Sequence, residues 1–498
     1  MIIALLYFSQ PLILGHGIMN PKDGAFASFF LLSIALGKNM VVASKENESQ
    51  KSSFSLQIAL KSKKNLFRWI VLLVLIIILD RMSGNITSSA ILSNGLVWIM
   101  SWKPGAAFME SAFFSSGSGY VATYHSVYVD RMIAIINMVY SLFLAVISAF
   151  TLCLFLRHAN RFYRSIFFAG IALGLTASIR ILGPAAGVLI ILDWIMKSRL
   201  KAVIPPASAY LGIAAAAMFF SWPFLWGNPL LRWGETIQFM SLPWRGEVLF
   251  NGSYYSSGAL PWNYLITIIP IQLTLPVLIL ALIGLVTILI HFLKNQQLNT
   301  ELLLPIIWFF FPMIAWMIIR PTTFDNSRHF LFILAPLFIL AALGISNLFQ
   351  QFHKTSIHFL IGVLVLLPGL IASLILHPYP YTYYNALVGW TPNIYNRFEA
   401  DYWGTSMCAA AKFLDSKIDS ETKIYFTDQN LGILFNRCTR SSPQMMFPQG
   451  NNSRNTPEYA VILSRWGYER SILPHLRKVY SLNIGETPLV IIRQHIDK

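Results

Sequence analysis

Charge is what this sequence has least of. Asp, Glu, Lys and Arg make up only 12% of its 498 residues, about half of the ~25% usual in soluble domains. Acids are scarcer still, 21 against 37 bases. Cysteine is nearly absent: Cys153, Cys408 and Cys438 are the whole complement, and their spacing excludes a zinc or iron–sulfur motif. Cys408 and Cys438 could pair in an oxidising compartment, but free thiols are the default expectation. No Gly-rich phosphate loop occurs, so cytoplasmic nucleotide chemistry is not indicated. Short alternating segments of the β-barrel kind are missing too. The N-terminus "MIIALLYFSQPLILGHGIMNPKD" lacks a basic n-region and a small-residue cleavage site, so it reads as a spanning helix and not a removable signal.

What is abundant is apolar length. Hydrophobic residues form 55% of the chain, with runs near 2–19, 24–43, 66–80, 85–101, 132–156, 166–179, 183–196, 203–227, 264–293, 302–319, 328–348 and 356–376. Several approach the ~20 residues that cross a bilayer core. The fold class is therefore an all-α polytopic membrane protein of about 10–12 helices. The formal charge of +16 sits mostly in short loops, as the positive-inside rule requires, and not on one soluble face, as nucleic-acid binding requires.

The loops alternate in character. "KENESQKSSFSLQIALKSKKNLFR", "RHANRFYR", "KSRLK" and "QFHK" are basic and aromatic-poor and belong in the cytoplasm; residues 228–263 and "RPTTFDNSRH" are rich in Trp, Tyr, Pro and Gly and belong outside. Residues 166–196 have basic flanks at both ends, so two short helices turning at Arg180–Pro184 are expected, with Arg180 at the outer face. The alternative is one long helix with Arg180 buried or snorkelling. Within the irregular stretch 46–160, residues 81–131 are the least legible; 85–101 could span, re-enter or lie in the interface. Beyond residue 378 no spanning run remains. "KIYFTD", "YAVILSR" and "LVIIRQ" read as strands and "SMCAAAKFLDSK" as an amphipathic helix, giving a small extracytoplasmic α/β domain over 379–498 after a transmembrane domain over 1–378.

Candidate chemistry collects at the outer ends of helices. Asn20, Pro21, Lys22 and Asp23 make a short turn that holds an acid and a cation near the bilayer surface. Asp325, Arg328 and His329 stand at another helix end, and Arg suits bidentate phosphate contact. In the loop above, Trp244, Arg245 and Tyr254 form a belt or a sugar-binding surface. Cations at headgroup depth with one acid and aromatic loops above suit a substrate with a lipid tail, a phosphate and a sugar. The acid would deprotonate or orient an acceptor hydroxyl.

The segments "SQPLILGHGIMNPKDGAFASFFLL", "GIALGLTASIRILGP", "FSWPFLWGNPL", "LPWRGEVLFNGSYYSSGALPWNYL", "RPTTFDNSRHFLFILAPL" and "HPYPYTYYNALVGW…FEADYWG" together resemble bacterial family 39 glycosyltransferases of the GT-C superfamily, relatives of the protein O-mannosyltransferases and of the aminoarabinose lipid A transferase. The resemblance covers most of residues 1–45 and 165–410. It implies an inverting sugar transferase of the inner (plasma) membrane that takes sugar from a polyprenyl-phosphate donor at the extracytoplasmic face and passes it to a hydroxyl of lipid, glycan or protein. It implies Asp23 as the catalytic acid of the second outer loop; Lys22, Arg180, Arg328 and His329 at the donor phosphate; and Trp244, Arg245, Tyr254, Asp325, Glu399, Asp401 and Trp403 toward the acceptor. Tyr402 would pack with them. It leaves a divalent metal ion open as a cofactor and indicates no other.

The chain departs from the family in one respect. The resemblance implies one or two further helices before "NPKD", with an acidic pair in the first outer loop, which the sequence does not show; a misassigned start, a rearranged gene, or a replacement acid from the stretch 46–160, with Asp80, Glu110 and Asp130 as candidates, would each account for it. A catalytically inactive binding or assembly subunit, or a transporter of lipid-linked sugars, are the alternative functions.

Overall fold

A computed structural model describes residues 2–51, 160–226, 228–241, 246–295, 300–448 and 456–495. The apolar runs 66–80, 85–101 and 132–156, with Asp80, Glu110, Asp130 and Cys153, lie outside these residues, as do Trp244 and Arg245. Backbone packing divides the chain into a unit of Met1–Asn39 with Phe167–Lys498 and a second unit, Met40–Ile166. In the described part of the second unit, Arg161 pairs with Glu46 at 2.8 Å.

The chain opens with helices α1 (Ile2–Phe8), α2 (Pro11–Met19) and α3 (Pro21–Lys51), of which α3 runs on from the first unit into the second. α4 (Arg161–Ile179), α5 (Pro184–Lys197), α6 (Leu200–Ser221) and α7 (Pro229–Ser241) follow; the last was expected as loop. A hairpin of β1 (Glu247–Phe250) and β2 (Ser253–Ser256) precedes α8 (Tyr264–Ile271), α9 (Leu275–Asn295), α10 (Thr300–Ile319), α11 (Ala335–Gln351) and α12 (Thr355–Ile375). Among the described residues six helices are long and apolar enough to cross a membrane, seven if α1 and α2 form one bent span. Their outward surfaces are apolar: on α12, Phe359, Leu374 and Ile375 are each more than 70% exposed. Faces of that size and composition suit lipid contact and not water.

The run 2–19 is not one helix. Pro11, lacking an amide hydrogen, starts α2 after a 69° bend. The run 264–293 breaks likewise, between α8 and α9 at Gln272–Thr274. The two breaks meet: the Thr274 amide donates to Gln10 Oε1 at 3.0 Å, and Gln272 Oε1 accepts from the Ser327 hydroxyl at 2.5 Å. Interrupted backbone within an apolar bundle needs such internal partners. α9 and α11 press together backbone to backbone, because Gly284 and Gly344 leave no room for a Cβ on either side.

The turn expected at Arg180–Pro184 is present. α4 ends at Ile179, Pro184 opens α5, and the Gly183 amide closes the turn onto the Arg180 carbonyl at 2.8 Å. Gly187 then packs against Leu173 across the hairpin. At the other end of these helices, Lys38, Asp193, Lys197 and Glu301 form a joint ion cluster that ties α3, α5 and α10 together, with Asp193 fully buried. Lys38 lies 15 residues beyond Asp23 on α3, about 22 Å at 1.5 Å per residue. Charge thus sits in two belts separated by an apolar span.

The C-terminal region carries the expected strands and helix. β3 (Lys423–Phe426), β4 (Gln444–Met446), β5 (Tyr459–Leu463), β6 (Arg477–Ile484) and β7 (Thr487–Gln494) form a mixed sheet of order β4-β3-β5-β7-β6. β3 runs parallel to both β4 and β5, and β7 is antiparallel to β5 and β6. α13 (Met407–Leu414) buries Met407, Ala410, Ala411 and Leu414 against Ile424, Phe426, Val461 and Val490 of the sheet, with Phe435 of α14 (Gln429–Asn436) closing the core.

One expectation needs correction. Cys408 and Cys438 are not free thiols but a disulfide, because α13 and the end of α14 lie side by side. It closes a loop of 30 residues, which chain entropy makes worth about 2–4 kcal/mol. Reduction, or Cys408→Ala with Cys438→Ala, should lower the thermal midpoint of this domain accordingly in a fluorescence melt. An unchanged midpoint would leave the bridge without a structural role.

Candidate functional site

The site grows from the α2–α3 junction. Asn20 caps α3: the Asp23 amide donates to Asn20 Oδ1 at 3.1 Å, and the Asn20 side-chain amide donates back to the Asp23 carboxylate. This reciprocal cap holds Asp23 buried while Lys22 beside it stays exposed. The Arg180 guanidinium reaches across from the α4–α5 turn to pair with Asp23 and lies over the Phe26 ring at 5.7 Å.

Arg328 approaches Asp23 from a third element, the 3₁₀ turn Arg328–Ile333. Its Nε is 3.8 Å from Asp23 and 3.0 Å from His329 Nε2, and Nη1 is 2.5 Å from Asp325. Its guanidinium lies between the rings of Phe324 and Trp403, at 4.8 and 4.7 Å. Asp325 and Asn326 both have positive φ, 58° and 59°, a conformation short polar side chains tolerate. Burial, with the charges of Arg328, Arg180 and Lys22, holds the His329 imidazole well below its ordinary pKa, so it is neutral at pH 7.

The network continues into the C-terminal domain. Arg465, just beyond β5, pairs with Asp325 and, at 3.1 Å, with Glu399. Glu399 is 4% exposed; burial pushes its carboxyl up to about 7 against the opposing pull of Arg465. The chain of ion pairs therefore runs Arg180, Asp23, Arg328, Asp325, Arg465, Glu399. With Lys22 it sets four cations against three carboxyl groups, of which Glu399 is only partly ionised at neutral pH, so the cluster carries a net positive charge.

Of the residues singled out in the sequence, Lys22, Asp23, Arg180, Arg328, His329, Asp325, Glu399 and Trp403 come together here. Asp401 does not reach them directly. Its carboxylate accepts from the amides of Gly404, Thr405 and Ser406 and from the Tyr381 hydroxyl, so it shapes the loop that carries Trp403. Tyr254 lies on the hairpin, 43% exposed. Sequence reasoning missed Arg465 and His16. Arg465 follows an apolar strand and precedes "WG", a weak sign of a charge leaving a sheet for a site. His16 is fully buried, 3.0 Å from the Tyr402 hydroxyl through Nε2, and α2 comes this close because Gly15 packs directly on the Tyr381 backbone.

An apolar groove of about 390 Å³ opens beside the cluster. α1, α2 and α3 line it through Tyr7, Phe8, Leu14, Gly17, Ala25 and Ala27. Pro21 and Gly24 in its wall bracket Lys22 and Asp23, and Leu331 brings the Arg328 turn to its edge. Among the described residues no three His, Cys, Asp or Glu side chains converge as metal ligands. The acids face guanidinium groups instead, a donor set that does not fit a divalent ion. No protein-family model, no curated protein and no solved structure matches this chain.

Proposed function

We propose that the protein is a membrane glycosyltransferase of the GT-C type, moving a sugar from a polyprenyl-phosphate donor to a hydroxyl acceptor at the extracytoplasmic face of the plasma membrane. The observation that carries this reading is the buried cluster of two arginines around one acid, with an apolar groove along a neighbouring face of α3. The groove takes the isoprenoid tail nearest the phosphate. Lys22, Arg180 and Arg328 take the phosphate, and their charge stabilises it as it leaves the anomeric carbon. His329, neutral and bonded to Arg328, keeps that guanidinium aimed.

Asp23 is ion-paired with Arg180 and lies 3.8 Å from Arg328. A bound phosphate competes for the same guanidiniums and frees the carboxylate to take the acceptor proton, which makes donor binding the first step. The Cys408–Cys438 bridge supports an oxidising compartment for the C-terminal domain. A carrier of lipid-linked sugars is the second reading, favoured by the interrupted helices at Gln10 and Thr274; against it, those breaks are neutral and internally bonded.

The test is binding of undecaprenyl phosphate to the purified protein, followed by release of label from a radiolabelled polyprenyl-phosphate hexose. Arg328→Ala is expected to weaken undecaprenyl phosphate binding at least about tenfold, the loss of one charge-assisted contact. An unaltered dissociation constant would remove Arg328 from the phosphate site.

A further inference from the structure

A second recess lies in the C-terminal domain, where the β1–β2 hairpin, the 395–400 loop and the turn after β5 meet. Its aromatic lining is Tyr254, Tyr395, Phe398 and Trp466, and Glu399 and Glu469 lie among them. Both acids are more than nine-tenths buried, at 4% and 6% exposure. Each uses one oxygen: Glu399 Oε1 accepts from Arg465 at 3.1 Å, and Glu469 Oε1 accepts from the Tyr395 hydroxyl at 3.1 Å. The other oxygen of each, Oε2, is buried without a hydrogen-bond partner among the described residues. Two orphaned carboxyl oxygens in one recess are costly to leave so; an ionised Glu469 can only accept, while Glu399, pushed up to about 7, can accept or donate. A group that satisfies both must therefore donate a hydrogen bond and be able to accept one, as a hydroxyl does.

Its charge follows from the neighbours. Arg465 pairs with Glu399, and Arg470 lies 4.0 Å from Glu469. Each acid already has a guanidinium beside it, Arg465 being shared with Asp325, and the Glu399 carboxyl is pushed up to about 7, so a further cation gains little and a neutral donor fits. The recess has room for about one water, about 20 Å³, enough for one hydroxyl and not for a ring. Above it the Tyr254 ring is 43% exposed. We infer that this recess is a sugar-binding site: a neutral glycan lies across Tyr254 and its aromatic neighbours and inserts a hydroxyl between Glu399 and Glu469. Aromatic faces cover the apolar faces of a pyranose while the acids read its hydroxyls. That the glycan belongs to the acceptor rests on the transferase reading; Glu399, shared through Arg465 with the phosphate-facing arginines, would bring acceptor and donor together.

The experiment is saturation-transfer NMR on the purified full chain with the methyl glycosides of glucose, mannose and galactose, and with undecaprenyl phosphate titrated separately. At least one glycoside should bind, and Glu469→Gln and Tyr254→Ala should each weaken it at least about tenfold. Tyr254→Ala alters an exposed ring and keeps the test valid if Glu469→Gln fails to fold. Binding of none of the three glycosides, full binding by Tyr254→Ala, or displacement of the sugar by equimolar methylammonium overturns the site. Undecaprenyl phosphate binding without sugar binding sinks the recess alone. Sugar binding without lipid phosphate binding keeps the recess and sinks the transferase.

Discussion

Asp23→Asn is expected to lower transfer from a polyprenyl-phosphate sugar by about 10²–10⁴-fold, the range for loss of a positioned general base. Asparagine keeps the shape of the side chain, and its carbonyl can still accept from the Asn20 amide. What it loses is charge. Arg180 and Arg328 then lack a carboxylate between them, and a phosphate meets no competitor for their guanidiniums. Donor affinity should therefore hold or rise while turnover collapses, so the loss appears in kcat and not in KM. A ground-state structural role predicts the opposite, weaker donor binding as the arginines splay. Wild-type turnover in Asp23→Asn would remove Asp23 from the chemistry and leave a binding subunit as the better reading.

Which parts of this arrangement a sequence can carry is seen residue by residue. The Arg180 turn was legible because two basic flanks cannot both face the cytoplasm across one span, and Gly183–Pro184 interrupts a helix. The strands around Ile424, Val461 and Ile491 were legible from β-branched apolar runs bounded by turn residues. The bend at Ser9–Pro11 was not foreseen: a continuous apolar run conceals a break whose polar partner, Thr274, lies 264 residues away. The same limit hid Arg465. Nothing local marks it as the partner of Asp325 and Glu399, since the pairing depends on where the sheet docks. The disulfide ran against the expectation of free thiols, because two cysteines far apart in sequence say nothing of the distance between α13 and α14.

Arg465→Met is the substitution expected to cost most in stability. Arg465 is the shared partner of Asp325 and Glu399, and its side chain is only 10% exposed. Methionine fills much of its volume without charge and leaves Glu399 without its cation in a buried site, while Asp325 keeps Arg328. Breaking a buried ion pair by removing one partner costs about 3–5 kcal/mol, chiefly the penalty of the stranded charge. If that is the cause, neutralising a stranded acid should recover part of it. Glu399→Gln in the Arg465→Met background is expected to restore about 1–2 kcal/mol, an interaction energy of the size that coupled neighbours show, although the single Glu399→Gln variant is itself destabilising. The double-mutant cycle in chemical denaturation measures this directly. Strict additivity would mean that Arg465 acts through packing against Trp466, over whose ring its guanidinium lies at 4.5 Å, and not through the ion pairs that join it to Asp325 and Glu399.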